Sequence, residues 1–246
     1  PMATGVLVLG LERGTKFLAH VVAETKTYEA TIRLGSATHS DDAEGDAVFV
    51  APEGAVDALD DAALVAAVGK FRGDIMQRPS SVSAIKIDGK RAHQRVREGE
   101  EVSIPPRKVT VFSFDVAGIR RLVADGAPVV DVDVRVHCSS GTYIRALARD
   151  LGELLGVGGH LVALRRTEVG PFSLAQARTL EQLEHSPSLS LSLDEALTVC
   201  YPGVEVSAKE ALDLSMGKWL EPRGLKGVHA AVAPNGAAVA LVKEQG

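Results

Sequence analysis

The junction between an apolar run, Val129 to Val136, and a helical pattern that begins near Tyr143 constrains the fold most strongly. After the junction, apolar side chains return at i, i+3, i+4 and i+7, which predicts a helix with one buried face. That face consists of Ile144, Leu147, Ala148, Leu151, Leu154 and Leu155. Ser140 or Thr142 can cap the start of the helix, and Gly156 can close its end. We therefore expect a strand followed by an amphipathic helix at the centre of the core.

Arg145 falls in the first turn of this predicted helix. The positive end of the helix dipole disfavours a cation there by roughly 0.3 kcal/mol or more. We expect an anion, either a carboxylate or a phosphate, to compensate. The alternative is a surface arginine that tolerates its position.

Composition limits the class of protein. The chain has 246 residues, of which 46% are hydrophobic, enough to build one large domain, or one with a small companion. Its two cysteines, Cys138 and Cys200, form no C-x-x-C pair, which favours the reducing cytoplasm. No apolar run approaches the roughly 18 residues of a membrane span, so we expect no membrane partner.

Charge is unevenly distributed along the chain. The net charge is −5, which gives no overall basic footprint for nucleic acid. Residues 78–108, the basic segment, nevertheless hold eight Lys or Arg against four Asp or Glu. Such a segment on an acidic body can bind a polyanion locally, and a solvated loop is the alternative.

The first half of the chain alternates strands and helices. Thr27 to Leu34 alternates with a period of two, which predicts a half-buried strand with Tyr28 and Ile32 on its buried face. Residues 77–106 have no sustained period and several Pro and Gly, which predicts a long functional loop. The remaining predictions are strands over Val6 to Leu9 and Val48 to Val50, and helices over Glu12 to Ala23, Ala58 to Phe71 and Ala92 to Arg97.

Strands dominate the second half until residue 194. Val109 to Ala117 and Val129 to Val136 are typical of antiparallel neighbours joined through Asp125-Gly126, and His160 to Val169 predicts another strand. Residues 195–246 are interpreted as a small separate α/β module, for which a PUA-like fold is one option. Its predicted elements are helices over Asp194 to Val199 and Ala208 to Met216, and a hairpin from Val228 to Val242 that turns at Asn235-Gly236.

Several well-known chemistries lack their patterns. There is no G-x-x-x-x-G-K-[ST] loop and no H-E-x-x-H, and Gly156-Val157-Gly158-Gly159 follows a helix where a dinucleotide loop would precede one. The acidic stretch Asp41 to Gly45 lacks the alternating ligands of a calcium loop, which favours a solvated or capping turn. We therefore expect neither a metal nor a cofactor.

Six segments, in the same order across residues 1 to 195, match the motifs of one family. The first comprises Pro1 to Leu7 and Gly14-Thr15-Lys16, which are similar to the motif G-x-L-D-P-x-A-T-G…A-T-K. The other five are Lys26 to Ala30 (K-x-Y), Thr38 to Gly45 (T-x-[ST]-x-D-x-E-G), Gln77 to Lys86 with Gly89 (the segment before a mobile thumb), Ser139 to Gly152 (S-x-G-T-Y-I-R-x-L-x-x-D-L-G), and Leu164 to Thr167 with Gly170 and Phe172 (L-R-R-T-x-x-G-x-F). Together these segments resemble the TruB family of tRNA pseudouridine synthases.

The chain departs from this pattern in two places. The family's nucleophilic aspartate belongs immediately before the proline that is Pro1 here, so we expect the chain to be the interior of a longer protein and to be inactive by itself. His93 stands where the family usually has a tyrosine, which puts a base-stacking role at that position in doubt.

The resemblance implies roles for individual residues. Arg145 would form a salt bridge with the missing aspartate, and Tyr28 would stack on a flipped uracil near its C5 atom. Tyr143 and Leu164 would complete the pocket, although each of these three pocket residues can equally fill the core. Contacts with phosphates or neighbouring carboxylates are implied for Lys16, Lys86, Arg165 and Arg166, with a solvated lysine as the alternative at Lys86.

Taken together, the sequence predicts an α+β protein with a mixed, mainly antiparallel sheet over residues 1–194 and a small module after it. The implied activity is isomerisation of uridine-55 to pseudouridine in the T-loop of tRNA by a cytoplasmic monomer that binds the T-arm stem-loop. A non-catalytic RNA-binding or tRNA-folding protein that uses the same surface is the main alternative. An unrelated structural or protein-interaction domain is the second.

Overall fold

The structure of the protein is a computed structural model, which describes residues 2–18, 25–80, 86–87, 90–91 and 104–244, with the backbone alone for residues 86–87 and 90–91. Contacts divide the chain into two compact units. The first unit comprises Pro1–Val6 and Glu24–Glu168, and the second comprises Leu7–Ala23 and Val169–Gly246. The domain boundary expected after residue 194 stays a prediction.

The described elements follow one another in this order: β1 (Thr4–Gly5), a 3₁₀ helix (Glu12–Lys16), β2 (Lys26–Leu34), β3 (Ser36–Thr38), β4 (Ala47–Val50), α1 (Asp61–Gly69), β5 (Gly73–Gln77), β6 (Lys86–Ile87), β7 (Lys90–Arg91), β8 (Arg107–Ala124), β9 (Ala127–Cys138), α2 (Ile144–Leu155), β10 (Gly159–Val169), β11 (Phe172–Ser173), α3 (Leu180–His185), α4 (Leu193–Cys200), β12 (Gly203–Glu205), α5 (Ala208–Ser215), β13 (Val228–Val232) and β14 (Ala238–Lys243).

A mixed sheet forms the centre of the first unit. Its strands lie in the order β1-β10-β2-β9-β8-β5. β1 runs parallel to β10, whereas the β2–β9, β8–β9 and β5–β8 pairs are antiparallel. Asp125 and Gly126 have φ of 51° and 80°, the positive values that a two-residue hairpin turn requires. The predicted mixed, mainly antiparallel sheet is confirmed.

The core lies between the apolar face of this sheet and helices α1 and α2. Ile32 and Leu34 on β2 are fully buried, as the alternation predicts, and pack with Leu147 and Leu151 of α2. Leu154 is 47% exposed, so its assignment to the buried helical face was wrong. It lies in the last turn of α2 at the edge of the apolar stripe, about 20° around the helix axis beyond the fully buried Leu147.

Two predicted elements near the N-terminus need correction. The strand expected over Val6 to Leu9 is absent there, because only Val6 is buried while Leu7 and Leu9 are 69% and 73% exposed. The helix expected from Glu12 begins as a 3₁₀ helix that ends at Lys16, and residues 19–24 lie outside the described part. The helix expected over Ala92 to Arg97 and the position of His93 also lie outside it.

The second unit contains a small sheet in the order β12-β13-β14. Helices α4 and α5 pack against β14. Each of α3, α4 and α5 begins with a capping box, in which a hydroxyl residue and the Gln or Glu three residues later satisfy each other's backbone N–H groups: Thr179 with Gln182, Ser192 with Glu195, and Ser207 with Glu210. The predicted hairpin and two helices are confirmed, whereas α3, β11 and β12 of this unit were missed, as were β3, β5, β6 and β7 of the first unit.

Candidate active site around the first turn of helix α2

Arg145 has an anionic partner, as its position in the first turn of α2 requires. Its Nη1 donates to Asp42 Oδ2 at 2.9 Å and to the Ser40 carbonyl at 3.0 Å. Both side chains are largely buried, with 22% of the arginine and 9% of the aspartate exposed. The guanidinium therefore joins helix α2 to the loop between β3 and β4.

Both the carboxylate and the backbone carbonyl of Asp42 accept hydrogen bonds from this loop. Its Oδ1 accepts hydrogen bonds from the Ser40 hydroxyl and the Glu44 N–H. Its backbone carbonyl accepts the Thr38 hydroxyl at 2.7 Å, and Asp42 forms an isolated β-bridge with Leu161. The sequence predicted a solvated or capping turn here. The capping interpretation is confirmed, but solvation is wrong because Asp41 and Asp42 are both buried.

The start of α2 is built differently from the prediction. Tyr143 is the N-cap and uses no side-chain cap, so capping by Ser140 or Thr142 was wrong. The Thr142 hydroxyl donates to the Ser139 carbonyl instead. The buried Gln77 side chain accepts the Tyr143 N–H at 2.8 Å and donates to the Tyr143 carbonyl at 3.1 Å. The predicted end at Gly156 is confirmed, since this residue has φ 73°.

Tyr28 lies near Arg166, and Lys26 precedes it by two residues on the same face of β2. Burial raises the pKa of the Tyr28 phenol, although a hydrogen bond and the positive charge of Arg166 oppose that shift. Burial, followed by the charge of Arg166, lowers the pKa of Lys26, whose Nζ donates to Ser140 Oγ at 2.9 Å. We call Lys26, Tyr28 and Arg166 the tyrosine cluster. It keeps a neutral phenol close to positive charge.

Residues 2–6 run beside β10 next to this cluster. The Val6 N–H donates to the Arg166 carbonyl at 2.8 Å, and Arg166 Nε donates to the Val6 carbonyl at 2.7 Å. Gly5 has φ 98°, and a Cβ at this position would collide with the Arg166 carbonyl. Met2 packs against the core. The N-terminal residues of the chain are thus fixed against the strand that supplies Arg166.

The structure brings some of the predicted site residues together. The segment from Cys138 to Arg145 links two groups, because Cys138 pairs in register with Lys26 while Arg145 binds Asp42. Tyr143 and Leu164 are half-buried, and Leu164 packs against the core. Both positions are compatible with either role, pocket or core, that the sequence allowed.

The remaining predicted site residues lie in other settings. Arg165 is exposed and is the register partner of Thr4. Lys16 is exposed at the end of the 3₁₀ helix in the second unit. Lys86 pairs in register with Arg91, and its side chain lies outside the described part.

Sequence reasoning missed Asp42 and Gln77 as site residues. Asp42 is separated from Arg145 by 103 residues, and Gln77 from Tyr143 by 66 residues. Both nonetheless fall inside segments that carry the family resemblance. The available signal was therefore a helix cation that needs an anion, together with an acidic motif elsewhere in the chain. A buried polar side chain needs a hydrogen-bond partner. The motif at the start of α2 supplies Arg145 for Asp42 and the Tyr143 backbone for Gln77.

The site offers neither a metal cage nor an activated thiol. Among the described residues, no group of three or more His, Cys, Asp or Glu side chains is placed to hold a metal ion. Burial raises the pKa of Cys138 to about 11, so this thiol stays protonated at neutral pH. Within the same residues, no helix is long and apolar enough to cross a membrane.

Comparison with known families defines the class. Residues 1–144 match the model of the TruB family pseudouridylate synthase N-terminal domain. Residues 145–198 match the tRNA pseudouridylate synthase B C-terminal domain, and residues 201–246 match a model described as tRNA pseudouridine synthase II, C terminal. The fold and the sequence patterns at the site are therefore those of a pseudouridine synthase, an isomerase.

Individual relatives identify the branch of that class. The chain is 65% identical to tRNA pseudouridine synthase B of Corynebacterium diphtheriae over 246 residues, which is 100% of this chain and 81% of the relative. It is 56% identical to tRNA pseudouridine synthase B of Rhodococcus jostii over 247 residues, which covers 100% of this chain and 79% of that protein. The chain belongs to the TruB family of pseudouridine synthases.

Solved structures support the fold. The chain resembles a chain in the crystal structure of a Cbf5-Nop10-Gar1 complex with a TM-score of 0.62 and 23% identity, over 97% of this chain and 65% of that one. A chain from an H/ACA RNP bound to a substrate RNA gives a TM-score of 0.60 at 21% identity, over 94% of this chain and 62% of that one. The present chain thus spans about two thirds of each neighbour, and the likeness concerns the fold alone.

Proposed function

We propose that this protein isomerises uridine-55 to pseudouridine in the T-loop of tRNA. The family supplies the isomerase chemistry, and the curated relatives carry the name tRNA pseudouridine synthase B. One structural observation supports the proposal above the others: Gly5 and Val6 lie against Arg166, whose positive charge acts on the pKa of the Tyr28 phenol. Strand β1, which lies a few residues after Pro1, thus runs beside the strand that supplies Arg166.

The reaction sets three requirements. The N-glycosidic bond to N1 of the uracil breaks, a bond from C5 to the sugar forms, and C5 loses a proton while N1 gains one. These steps need a nucleophile, control of one proton and a pocket for a base removed from its stack. The resemblance assigns the nucleophile to an aspartate immediately before Pro1, which we propose for the full-length protein.

Arg145 is proposed to orient this nucleophile and to keep it ionised. An adjacent guanidinium lowers the pKa of a carboxyl group and fixes its orientation. Asp42 and the Ser40 carbonyl hold the guanidinium from the loop side. In this arrangement Asp42 determines the direction in which Arg145 presents its charge.

Tyr28 is proposed to stack on the flipped uracil and to assist removal of the C5 proton. Burial raises the pKa of its phenol, which suits stacking on an uncharged base, while the nearby charge of Arg166 opposes that shift and favours proton acceptance by the phenol oxygen. Tyr143 and Leu164 would line the same pocket. Lys16, Lys86, Arg165 and Arg166 would contact the phosphates of the T-arm, which would offset the cost of base flipping.

Tritium release from tRNA labelled at C5 of its uridines tests the proposed function. The full-length protein, including the residues before Pro1, is expected to release one equivalent of tritium per tRNA, and replacement of uridine-55 is expected to abolish release. Changing the aspartate before Pro1 to asparagine should stop release while tRNA binding persists. We expect the chain from Pro1 alone to bind tRNA as a monomer without turnover, and the full-length protein to act in the cytoplasm.

The same assay distinguishes the enzyme from the alternative, a non-catalytic RNA-binding protein. A full-length protein that binds and refolds tRNA but releases no tritium would be a non-catalytic RNA-binding protein, and the enzymatic proposal would be wrong. Release that persists without the aspartate would instead refute its role as the nucleophile.

A further inference from the structure

A second arginine–aspartate pair lies one helical turn from Arg145. Arg149 follows Arg145 by four residues, so the two side chains share one face of α2. Arg149 Nη1 contacts Asp41 Oδ2 at 3.2 Å, and Asp41 directly precedes Asp42 in the loop. Only 12% of the arginine and 10% of the aspartate side chain are exposed. Two successive carboxylates therefore meet two successive turns of the helix.

Arg149 also reaches a third segment of the chain. Its Nη2 donates to the Arg78 carbonyl at 2.7 Å, at the beginning of the basic segment. Two residues later, the Ser80 hydroxyl lies 3.3 Å from the Ser40 carbonyl, the same carbonyl that accepts from Arg145. Arg149 thus links the loop at residues 40–45 and the chain at residues 78–80 to α2.

The backbone conformation of the loop at Asp41 is held by contacts from two elements. Asp41 has φ 61°, a left-handed conformation that is unfavourable for residues other than Gly, Asn or Asp. Its carbonyl accepts the Leu161 N–H at 3.0 Å, so the residue is fixed from β10 as well as from α2. Aspartate is among the residue types that tolerate this conformation, and contacts from α2 and β10 hold Asp41 in it.

We propose that Arg149 and Asp41 form a positioning pair for the reaction, which holds the 40–45 loop against α2 so that Asp42 meets Arg145 at the distance observed. The pair contacts no substrate and acts through Arg145. The inference rests on the proposed function, because its kinetic consequence is measured as pseudouridine formation.

Arg149→Met in the full-length protein tests the pair by removing the cation and its hydrogen bonds to Asp41, to the Arg78 carbonyl and to Asp150 of the same helix. Single-turnover tritium release is expected to fall by about 10- to 100-fold, because small displacements of a catalytic group cost that much. The Kd for tRNA is expected to change by less than about threefold, which separates chemistry from binding. Arg149→Lys should give an intermediate rate, since a single ammonium cannot reproduce the fork that spans Asp41 and the Arg78 carbonyl.

Arg33→Met is the matched control. Arg33 forms a similarly buried pair with Asp131, on the opposite face of β2 from the core. Release by the folded Arg33→Met protein should equal that of the wild type. An equal slowing in both variants would show that Arg149→Met acts through general destabilisation, and the positioning role would be wrong.

A double-mutant cycle with Asp42→Asn tests whether Arg149 acts through Asp42. If it does, adding Arg149→Met to Asp42→Asn should slow release by less than about threefold beyond Asp42→Asn alone. If the two losses multiply, the residues act independently and the proposal fails.

Hydrogen–deuterium exchange provides a readout that does not depend on activity. Arg149→Met should increase exchange at residues 40–45 and 78–80, whereas Arg33→Met should leave those residues unchanged. Unchanged exchange in Arg149→Met would overturn the positioning pair. A wild-type protein that releases no tritium would instead refute the proposed function and leave this measurement to decide the pair.

Discussion

Two arginine–aspartate pairs of the first unit are nearly identical in burial and length but differ in what they connect. Arg145–Asp42 has an N–O distance of 2.9 Å, with 22% and 9% of the side chains exposed. Arg33–Asp131 has a distance of 2.8 Å, with 22% and 8% exposed. Burial and distance alone would assign both pairs the same role.

Their connectivity separates them. Arg33 and Asp131 are register partners on β2 and β9, and two arginine nitrogens meet the two carboxylate oxygens in a closed fork. Arg145 instead uses one nitrogen for both Asp42 and the Ser40 carbonyl, while the other oxygen of Asp42 is occupied by its own loop. Arg33–Asp131, the strand pair, satisfies its own hydrogen-bonding groups. Arg145–Asp42, the helix pair, joins helix α2 to a separate loop at a site surrounded by the motifs of the family resemblance.

The largest expected effect is on catalysis by the helix pair. Arg145→Met in the full-length protein should lower the single-turnover rate of tritium release on the order of 10³-fold, because a positioned charge at the reacting group is lost. The Kd for tRNA should change by less than about fivefold. Rapid-quench release assays and filter binding measure the two quantities. Loss of affinity that accounts for the whole effect would make Arg145 a binding residue only.

A smaller effect, on stability, is expected for the strand pair. Arg33→Met leaves the buried Asp131 carboxylate without its cation and should lower the free energy of unfolding by about 2–3 kcal/mol. Urea titration at pH 7 with an unchanged m-value checks this figure. The double variant Arg33→Met with Asp131→Leu should recover most of the loss, since no lone charge remains. Persistent loss in the double variant would mean that side-chain packing, rather than charge, stabilises this position.

The smallest expected effects concern the neighbours of the two pairs, Asp133 on β9 and Asp41 beside Asp42. Their contributions to the free energy of unfolding should depend on pH in opposite directions. A hydrogen bond from Arg120 holds the pKa of Asp133 below its ordinary value of 3.8, whereas burial raises the pKa of Asp41 above 3.8. Asp133 therefore adds stability above pH 3.8 that is lost as pH falls through its lowered pKa. Asp41 binds its proton more tightly when folded, so its contribution is complete below pH 3.8 and is lost as pH rises through its raised pKa.

Urea unfolding of Asp133→Asn and Asp41→Asn between pH 3 and pH 7 measures these slopes. The stability difference between wild type and Asp133→Asn should shrink on acidification and stay below about 1 kcal/mol, as for a partly exposed ion pair. The corresponding difference for Asp41→Asn should shift in favour of the wild type. Slopes of the same sign would contradict the contrast between the two environments.

Local periodicity explains which parts of the fold the sequence predicted. The alternation in β2, the apolar stripe of α2 and the Asp125-Gly126 turn each depend on neighbours within a few residues, and all three are confirmed except for Leu154 in the stripe. The strand predicted at Val6 to Leu9 was wrong because apolar character alone does not supply a pairing partner. Elements such as β5, with a weak local pattern, depend on the neighbouring strand.

The sequence predicted Arg145, the cation of the candidate site, but not Asp42, the residue that pairs with it. The dipole argument correctly required an anion at Arg145, yet Asp42 lies 103 residues away and leaves no periodic trace. The same holds for Gln77, whose amide fixes the Tyr143 backbone in place of a side-chain cap. Contacts between distant segments follow from the packing of the whole unit, so a local pattern indicates the need for a partner without specifying which residue provides it.

The most direct test of the difference between the two pairs is the ratio of tritium-release rates of Arg145→Met and Arg33→Met, measured side by side with the wild type under single-turnover conditions. We expect Arg145→Met to be slower on the order of 10³-fold and Arg33→Met to stay within about twofold of the wild-type rate. Equal rates in the two variants would contradict a catalytic role that is confined to the pair on helix α2.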